Sequence, residues 1–218
     1  MKFHLALIFI CNIFLSGFLF AQDEESAARD IIKKSVSKYK AYSSSEVSFT
    51  YTMENRTDNL KEIQKGTIYL KNGNFRLIIG NQIIISDQVK VWTYMKDVNE
   101  VQISNYNPKE LEINPNEIFT MWESGFLYRY MGDVTLNNQA TCLVELTPIN
   151  KNLSYYKVKL YIDKKTNSVY RIQTFYKESA LILTFDIISV KPNVQLSDSL
   201  FKFDVTKYPG IEVVDLTK

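Results

Sequence analysis

From Val47 onward the sequence alternates with a period of two, and this is the feature that most constrains its fold. Val47, Phe49, Tyr51 and Met53 share one face of the stretch VSFTYTM, and Ser48, Thr50 and Thr52 share the other. Only an extended strand turns that spacing into one apolar and one polar face. GTIYL (Gly66–Leu70), FRLII (Phe75–Ile79), QIIIS, VWTYM and EVQIS (Glu100–Ser104) follow in the same manner. The corners between them are short and polar: Asn72-Gly73-Asn74, Gly80-Asn81, Asp87-Gln88 and Asp97-Val98-Asn99. Such corners leave no room for a crossover, so consecutive strands pair antiparallel in a meander. FLYRYM, ATCLVEL, KVKLYI, SVYRIQTFY, LILTFDIIS and SLFKFDV read as further strands. About eleven antiparallel strands are expected, in an α+β chain that is mainly β.

Two segments depart from this period. Between Asp23 and Tyr42, the residues Ala28, Ile31/Ile32, Ser35/Val36 and Tyr39 recur at three-to-four spacing, and acidic residues lead while lysines follow. The spacing predicts an amphipathic helix whose charges suit its dipole. In NPNEIFTMWESG, Asn114 can cap, Pro115 suits the first helical position, Glu117 can close a capping box and Gly125 can end a short helix. Ile118, Phe119, Met121 and Trp122 make that helix strongly apolar.

The N-terminus reads as a secretory leader. Lys2 precedes an apolar run from Phe3 to Phe20, then Ala21 and the acidic stretch Asp23-Glu24-Glu25. Cleavage after Ala21 is expected, with an uncleaved anchor helix as the alternative. Phe9 and Ile10 precede Cys11, so the small residues of a lipoprotein cleavage site are missing there. Residues 1–21 are therefore assigned to the signal peptide and 22–218 to a single domain.

Loss of the leader removes His4, the only histidine, and leaves Cys142 as the only cysteine. No disulfide can then form within the chain, and Ser-His-Asp, Cys-His and His-based zinc arrangements are all unavailable. Of the 26 Lys and Arg residues only Lys2 leaves, so 25 face 24 Asp and Glu. That balance gives no electrostatic case for nucleic acid. Neither Ser86 nor Ser124 sits in a nucleophile elbow, and the glycines form no phosphate loop. Cys142 alternates with Val144 and Leu146 and reads as a buried structural thiol. No catalytic group, metal or cofactor is expected.

The remaining signal is surplus apolar surface. A sheet with one wet face alternates cleanly, yet Ile83, Ile84 and Ile85 are apolar in succession, and LII, LILTF and DIIS also break the alternation. Ordinary packing on both faces accounts for this, and so does a curved sheet that keeps an apolar concave face. Periodicity alone leaves the two readings open.

KGTIYLKNGNFRL followed by IIISDQVKVWTYMKDVNEVQI, within Lys65–Ile103, resembles the LolA-type family of periplasmic outer-membrane lipoprotein carriers. That family has a G-x-hydrophobic-x-hydrophobic-K strand, an F-R strand, and a hairpin of the form ISDG-x-x-hydrophobic-W-x-Y. NPNEIFTMWESGF is similar to its internal helix, and SDSLFKFDVTKYPGIEVVDL to its closing segment. The resemblance implies an unclosed β-barrel wrapped over the N-terminal helix and a short lid helix, enclosing a hydrophobic cavity. It further implies a periplasmic monomer that takes acylated lipoproteins from an inner-membrane ABC exporter to an outer-membrane acceptor, without catalysis. Cavity residues expected on this basis are Phe49, Tyr51, Ile68, Leu70, Phe75, Leu77, Trp92 and Tyr94, with Phe119 and Trp122 on the lid helix. A slip of one position exchanges the faces of any strand.

The chain departs from the family pattern twice. Gln88 stands where the hairpin has glycine, so that corner must either change geometry or accept strain. Lys71-Asn72-Gly73 replaces the K-R-P whose arginine holds the lid closed in other members. Two other readings of the same fold are the outer-membrane acceptor, which would need the missing lipoprotein site, and a regulatory or sensory domain that binds a partner protein.

Overall fold

The computed structural model describes residues 23–108, 114–178 and 180–217; the expected signal peptide lies outside them. Residues 23–40 form the helix α1. Twelve strands follow in one sheet: β1 (Ser44–Asn55), β2 (Leu60–Lys71), β3 (Asn74–Ile79), β4 (Gln82–Ser86), β5 (Lys90–Met95), β6 (Glu100–Asn105), β7 (Phe126–Leu136), β8 (Gln139–Pro148), β9 (Tyr155–Asp163), β10 (Val169–Tyr176), β11 (Leu181–Pro192) and β12 (Glu212–Asp215). The spatial order is β12-β6-β5-β4-β3-β2-β1-β11-β10-β9-β8-β7. Two meanders, β1 to β6 and β7 to β11, are thus joined where β1 pairs with β11, from Ser45–Pro192 to Asn55–Leu181. The end strands β12 and β7 do not meet, so the result is an open half-barrel rather than a closed one.

Asparagine makes many of the corners. Asn72-Gly73 and Asn137-Asn138 each place both central residues at positive φ. That is the two-residue turn whose twist matches antiparallel strands, and asparagine tolerates it because its short amide bonds locally. Gln88 sits in the same region at φ 69° without that local help. Strain is accepted at this corner, and the side chain supplies the compensation: Nε2 donates to the Asn72 carbonyl at 2.9 Å and to Asn74 Oδ1 at 3.0 Å. The β4–β5 corner is thereby tied to the β2–β3 corner.

On the concave side, α1 lies over the β7–β10 half of the sheet. Ala28, Ile32, Val36 and Tyr39 are buried among Tyr128, Val144, Leu146, Val158, Leu160 and Ile172. At the C-terminal end of α1 the Tyr39 hydroxyl accepts the Val169 N–H at 3.0 Å, and Lys38 Nζ donates to the Thr166 carbonyl and Ser168 Oγ. The helix is thus pinned to the β9–β10 turn.

Three sequence expectations need correction. The internal lid helix is two 3-10 turns, Pro115–Glu117 and Met121–Glu123, not a continuous helix. Asn114 caps the first as expected. The backbone leaves the helical region between the turns at Thr120, with φ −123°, and there the Trp122 indole Nε1 donates to the Ile118 carbonyl at 2.7 Å. That carbonyl is the acceptor the Trp122 backbone N–H would use in an α-helix. SLFKFDV is not a strand but two further 3-10 turns, Asp198–Phe201 and Val205–Lys207. Ser197 and Asp204 accept backbone N–H groups there, offering the chain a local alternative to a ladder. The closing strand is β12, which lies parallel to β6. Finally, β1 and β2 run well past their expected ends, to Asn55 and from Leu60, as one long hairpin.

Residues 196–211 fold over the convex face of β3 to β6. Phe201 is 1 % exposed and packs with Ile83, Ile85, Tyr94 and Val101. Phe203 stacks on Tyr208 at 4.7 Å, and both rings contact Tyr94. Arg76 Nη1 donates to the Leu200 carbonyl, so the arginine of the F-R element holds this C-terminal cover and not the lid.

Candidate functional site

Alternation on β1 sends Val47, Phe49 and Tyr51 to the concave side, next to Leu183, Phe185 and Ile187 from β11. Ile68 from β2 and Leu77 and Ile79 from β3 continue the same surface. Because α1 sits over the other half of the sheet, Tyr51, Leu77, Ile79, Leu183, Phe185 and Ile187 are only partly covered, and with the buried Val47, Phe49 and Ile68 they line a cleft of about 360 Å3. Pro115, Ile118 and Phe119 of the 3-10 segment close one end, while Gln64 and Gln82 stand at the other. The volume falls near the lower end of the ~300–1,000 Å3 typical of ligand sites.

Phe49 is the centrepiece, and Gly66 explains its placement. The Phe49 ring lies flat on β2, so that a Cβ at position 66 would sit 2.3 Å from Phe49 Cζ. No side chain fits there; the glycine that opens the GTIYLK element is a seat for the ring. Phe185 meets both Phe49 and Tyr51, at ring-centroid distances of 5.6 and 5.0 Å. These tilted contacts form an aromatic floor of the kind that aromatic quadrupoles favour.

The covering segment is held by a few contacts, mostly uncharged. Phe119 stacks on Tyr39 at 4.3 Å with an interplanar angle of 9°. Asn116 Nδ2 donates to the Gly73 carbonyl at 2.6 Å, and Asn114 Nδ2 to the Tyr106 hydroxyl at 3.2 Å. One exposed ion pair, Lys40–Glu123, joins α1 to the second 3-10 turn. Gly73 also carries the Gln88 side chain against its backbone. The residue replacing the family glycine and the main polar tie of the cover therefore meet at one turn.

Five of the expected cavity residues come together in the cleft: Phe49, Tyr51, Ile68, Leu77 and Phe119. Leu70 lines an adjoining pocket with Tyr39, Tyr42 and Phe119. Phe75 is 1 % exposed; it shares the face of Leu77 by alternation but does not line the cleft. Trp122 is 2 % exposed in the core beneath the cover and stacks obliquely against Phe126. Trp92 and Tyr94 lie on the opposite, convex face. Trp92 pairs with Ile85 and Tyr94 with Ile83, and the C-terminal segment covers them. Registration decides this: Leu77 pairs with Ile84, which pairs with Thr93, so the concave positions of β4 and β5 are Ile84 and Thr93.

Sequence reasoning missed the β11 contribution of Leu183, Phe185 and Ile187. The two-faced pattern of LILTFDIIS was its signal, but nothing in the sequence placed β11 beside β1. Val47, Gln64, Ile79, Gln82, Pro115 and Ile118 were also missed.

The electrostatics of the cleft are quiet. Among the described residues no charged side chain lines it. Burial, helped by Glu62, raises the Tyr51 hydroxyl pKa above its ordinary value, so the phenol stays neutral. Cys142 is half-buried rather than buried, on another part of the sheet. Its thiol lies 3.6 Å from Asp133 Oδ1, and burial together with that carboxylate raises its pKa. A thiol held protonated is a poor nucleophile. Among the described residues no group of three or more His, Cys, Asp or Glu is arranged to hold a metal ion, and no helix is long and apolar enough to cross a membrane.

Comparison with known proteins identifies a family. The profile described as "Outer membrane lipoprotein carrier protein LolA" matches residues 40–204, which takes in the strands β1–β11, the cleft and most of the C-terminal cover. No curated protein sequence matches the chain. Among solved structures, an uncharacterized conserved protein from Thermus thermophilus is similar at 15% identity and a TM-score of 0.53, over 87% of this chain and 99% of that one. LprF from Mycobacterium bovis is similar at 12% identity and 0.51, over 79% and 97%. A LolA superfamily protein from Nitrosomonas europaea gives 14% identity and 0.44, over 81% and 98%.

Proposed function

We propose, for a chain that belongs to the LolA family of outer membrane lipoprotein carrier proteins, that it is a carrier holding acyl chains of lipoproteins in the concave cleft. The supporting observation is the cleft itself: an apolar floor built from β1, β2, β3 and β11, closed at one end by Pro115, Ile118 and Phe119. It acts outside the cytoplasm, receiving its cargo from an inner-membrane exporter and releasing it to an outer-membrane acceptor.

The energetics suit a carrier better than a store. Two chains of ~15 methylenes gain roughly 24 kcal/mol on leaving water, at ~0.8 kcal/mol per CH₂. Cargo held that strongly does not escape through water. A bilayer offers the same gain per methylene, so exchange between membrane and cleft is close to balance, and a modestly better acceptor drains the carrier. Binding adds no chemistry to the cargo. A cleft of about 360 Å3 is too small for two such chains; fuller loading requires the Pro115–Thr120 turn to lift. The contacts that resist lifting of that turn are the burial and stacking of Phe119 on Tyr39 and two amide hydrogen bonds, while Trp122 stays anchored in the core by Phe126 and the Tyr128 hydroxyl. At ~1 kcal/mol for each hydrogen bond and ~1.5–3 kcal/mol for burying the Phe119 side chain, roughly 4–5 kcal/mol opens the site.

Native mass spectrometry of the protein isolated from its own cell envelope tests this reading. An adduct whose mass resolves into an acylated polypeptide is expected. A protein that carries no acyl adduct, and binds a non-acylated polypeptide instead, would show the fold serving as a partner-binding domain.

A further inference from the structure

The polar side chains of the cleft are gathered at its uncovered end. Tyr51 opposes Gln64 across β1 and β2, and Gln82 opposes Ile79 beside the Gly80-Asn81 corner. Gln64 lies over that corner: its Oε1 is 2.8 Å from where a Gly80 Cβ would be. Gln82 is exposed to solvent and Gln64 half-exposed, so they stand where a chain inserted in the cleft would leave it. The nearest charge along β2 is Glu62, which accepts a hydrogen bond from Gln64 Nε2 at 2.6 Å. None of the neighbouring cations among the described residues lines the cleft: Lys96, whose N–H bonds the Asn81 carbonyl, follows Tyr94 on the convex alternation of β5. Lys61 and Lys65 alternate with Glu62 and Gln64 along the strand and project from its other face, and Arg56 is held by Glu54 at 2.9 Å.

We infer that this rim selects acyl chains borne on an uncharged, ester- or amide-linked head, as on a lipid-modified polypeptide, and rejects the same chains borne on a phosphate. The inference rests on the carrier reading of the cleft and adds the chemistry of the head. Amide N–H groups and a neutral phenol donate to ester and amide carbonyls, and the Gln64 and Gln82 carbonyl oxygens accept from peptide N–H groups. A phosphate seated there would lose water with no cation among the described lining residues to replace it, and would face the Glu62 carboxylate. The abundant phosphate-headed lipids of a bilayer share their chains with the cargo, so only the head can tell them apart. A rim of this composition lets the carrier meet a membrane without filling from it.

The test compares two probes on the purified protein by displacement of a fluorescent apolar dye. One is a dipalmitoyl-glyceryl thioether of a short uncharged peptide, the other dipalmitoyl phosphatidylglycerol. The lipopeptide should bind about tenfold more tightly or better. Glu62→Lys combined with Gln64→Lys should bring the two within about threefold, through tighter phospholipid binding. Both sites lie on the rim, and Gln82→Lys on exposed surface provides a second variant with the same expected direction. Equal affinities in the unaltered protein would overturn the head-group inference while leaving the carrier reading intact. Binding of neither probe would overturn both.

Discussion

Replacing Gly66 by alanine is the sharpest perturbation of the cleft, because its consequence follows from one close approach. The added methyl would sit 2.3 Å from Phe49 Cζ, 2.7 Å from Phe49 Cε2 and 3.0 Å from the Ile78 carbonyl oxygen. The backbone carbonyl is fixed in the β2–β3 ladder, so the ring must move. Phe49 is 4 % exposed, and the open space near it is the cleft. Rotation into the cleft forfeits the tilted contact with Phe185, worth about 0.5–1.5 kcal/mol. Overpacking adds about 1–3 kcal/mol. A net loss of ~2 kcal/mol corresponds to a fall of about 4–8 °C in Tm for a domain of this size. Affinity for an apolar probe should fall as well, since the ring now occupies the space the probe needs. Phe49→Ala on the Gly66→Ala background removes the clash and should restore probe binding while lowering stability further. Circular dichroism melting and dye titration on the four proteins of the cycle give both quantities. Unchanged melting and unchanged affinity in Gly66→Ala would mean the ring is not seated on Gly66, and the described floor of the cleft would be wrong.

Gln88→Gly relieves a left-handed residue, worth ~1–2 kcal/mol, but deletes two side-chain hydrogen bonds of ~1 kcal/mol each. Stability should change by less than about 1 kcal/mol while amide exchange accelerates at residues 72–74 and 116, measured by hydrogen–deuterium exchange. Trp92→Leu should lower stability by ~1–3 kcal/mol in denaturant melts and leave apolar-probe affinity within about twofold, because Trp92 packs under the C-terminal cover. Burial pushes the Tyr39 pKa up to about 12 against an ordinary 10.0. With the folded value raised, its contribution is complete below pH 10 and is lost as pH climbs towards 12, by roughly 2–3 kcal/mol in all. Tyr39→Phe should be less stable at about pH 8, where the Val169 N–H loses its acceptor, and should show a shallower alkaline decline.

How far the sequence could be read depended on which interactions were local. The meander of β1 to β6 and the buried stripe of α1 follow from periodicity and turn chemistry, both confined to a few residues. The face assigned to Trp92 and Tyr94 did not, since alternation divides a strand into two faces without saying which is concave. Ile83, Ile84 and Ile85 needed cover on both sides, and they have it: Ile83 and Ile85 lie under the C-terminal segment, and Ile84 is on the cleft side. What decided the matter was a cover far along the chain, whose own FKF pattern looked like a strand. Phe185 was invisible as a site residue for the same reason, because β1 and β11 pair across most of the chain. The internal helix failed for a local reason, a backbone that leaves the helical region at Thr120 where the Trp122 indole takes the Ile118 carbonyl, which propensity does not register.

Photocrosslinking from defined positions tests the central claim most directly. A photoreactive residue is placed at Leu77 or Phe185 in the cleft, and as control at Trp92 on the covered convex face. The acyl-carrier account predicts crosslinks to the lipid moiety of an acylated polypeptide from Leu77 and Phe185 and none from Trp92. Crosslinks from Trp92 alone, or lipid-free polypeptide captured from the cleft positions, would contradict it.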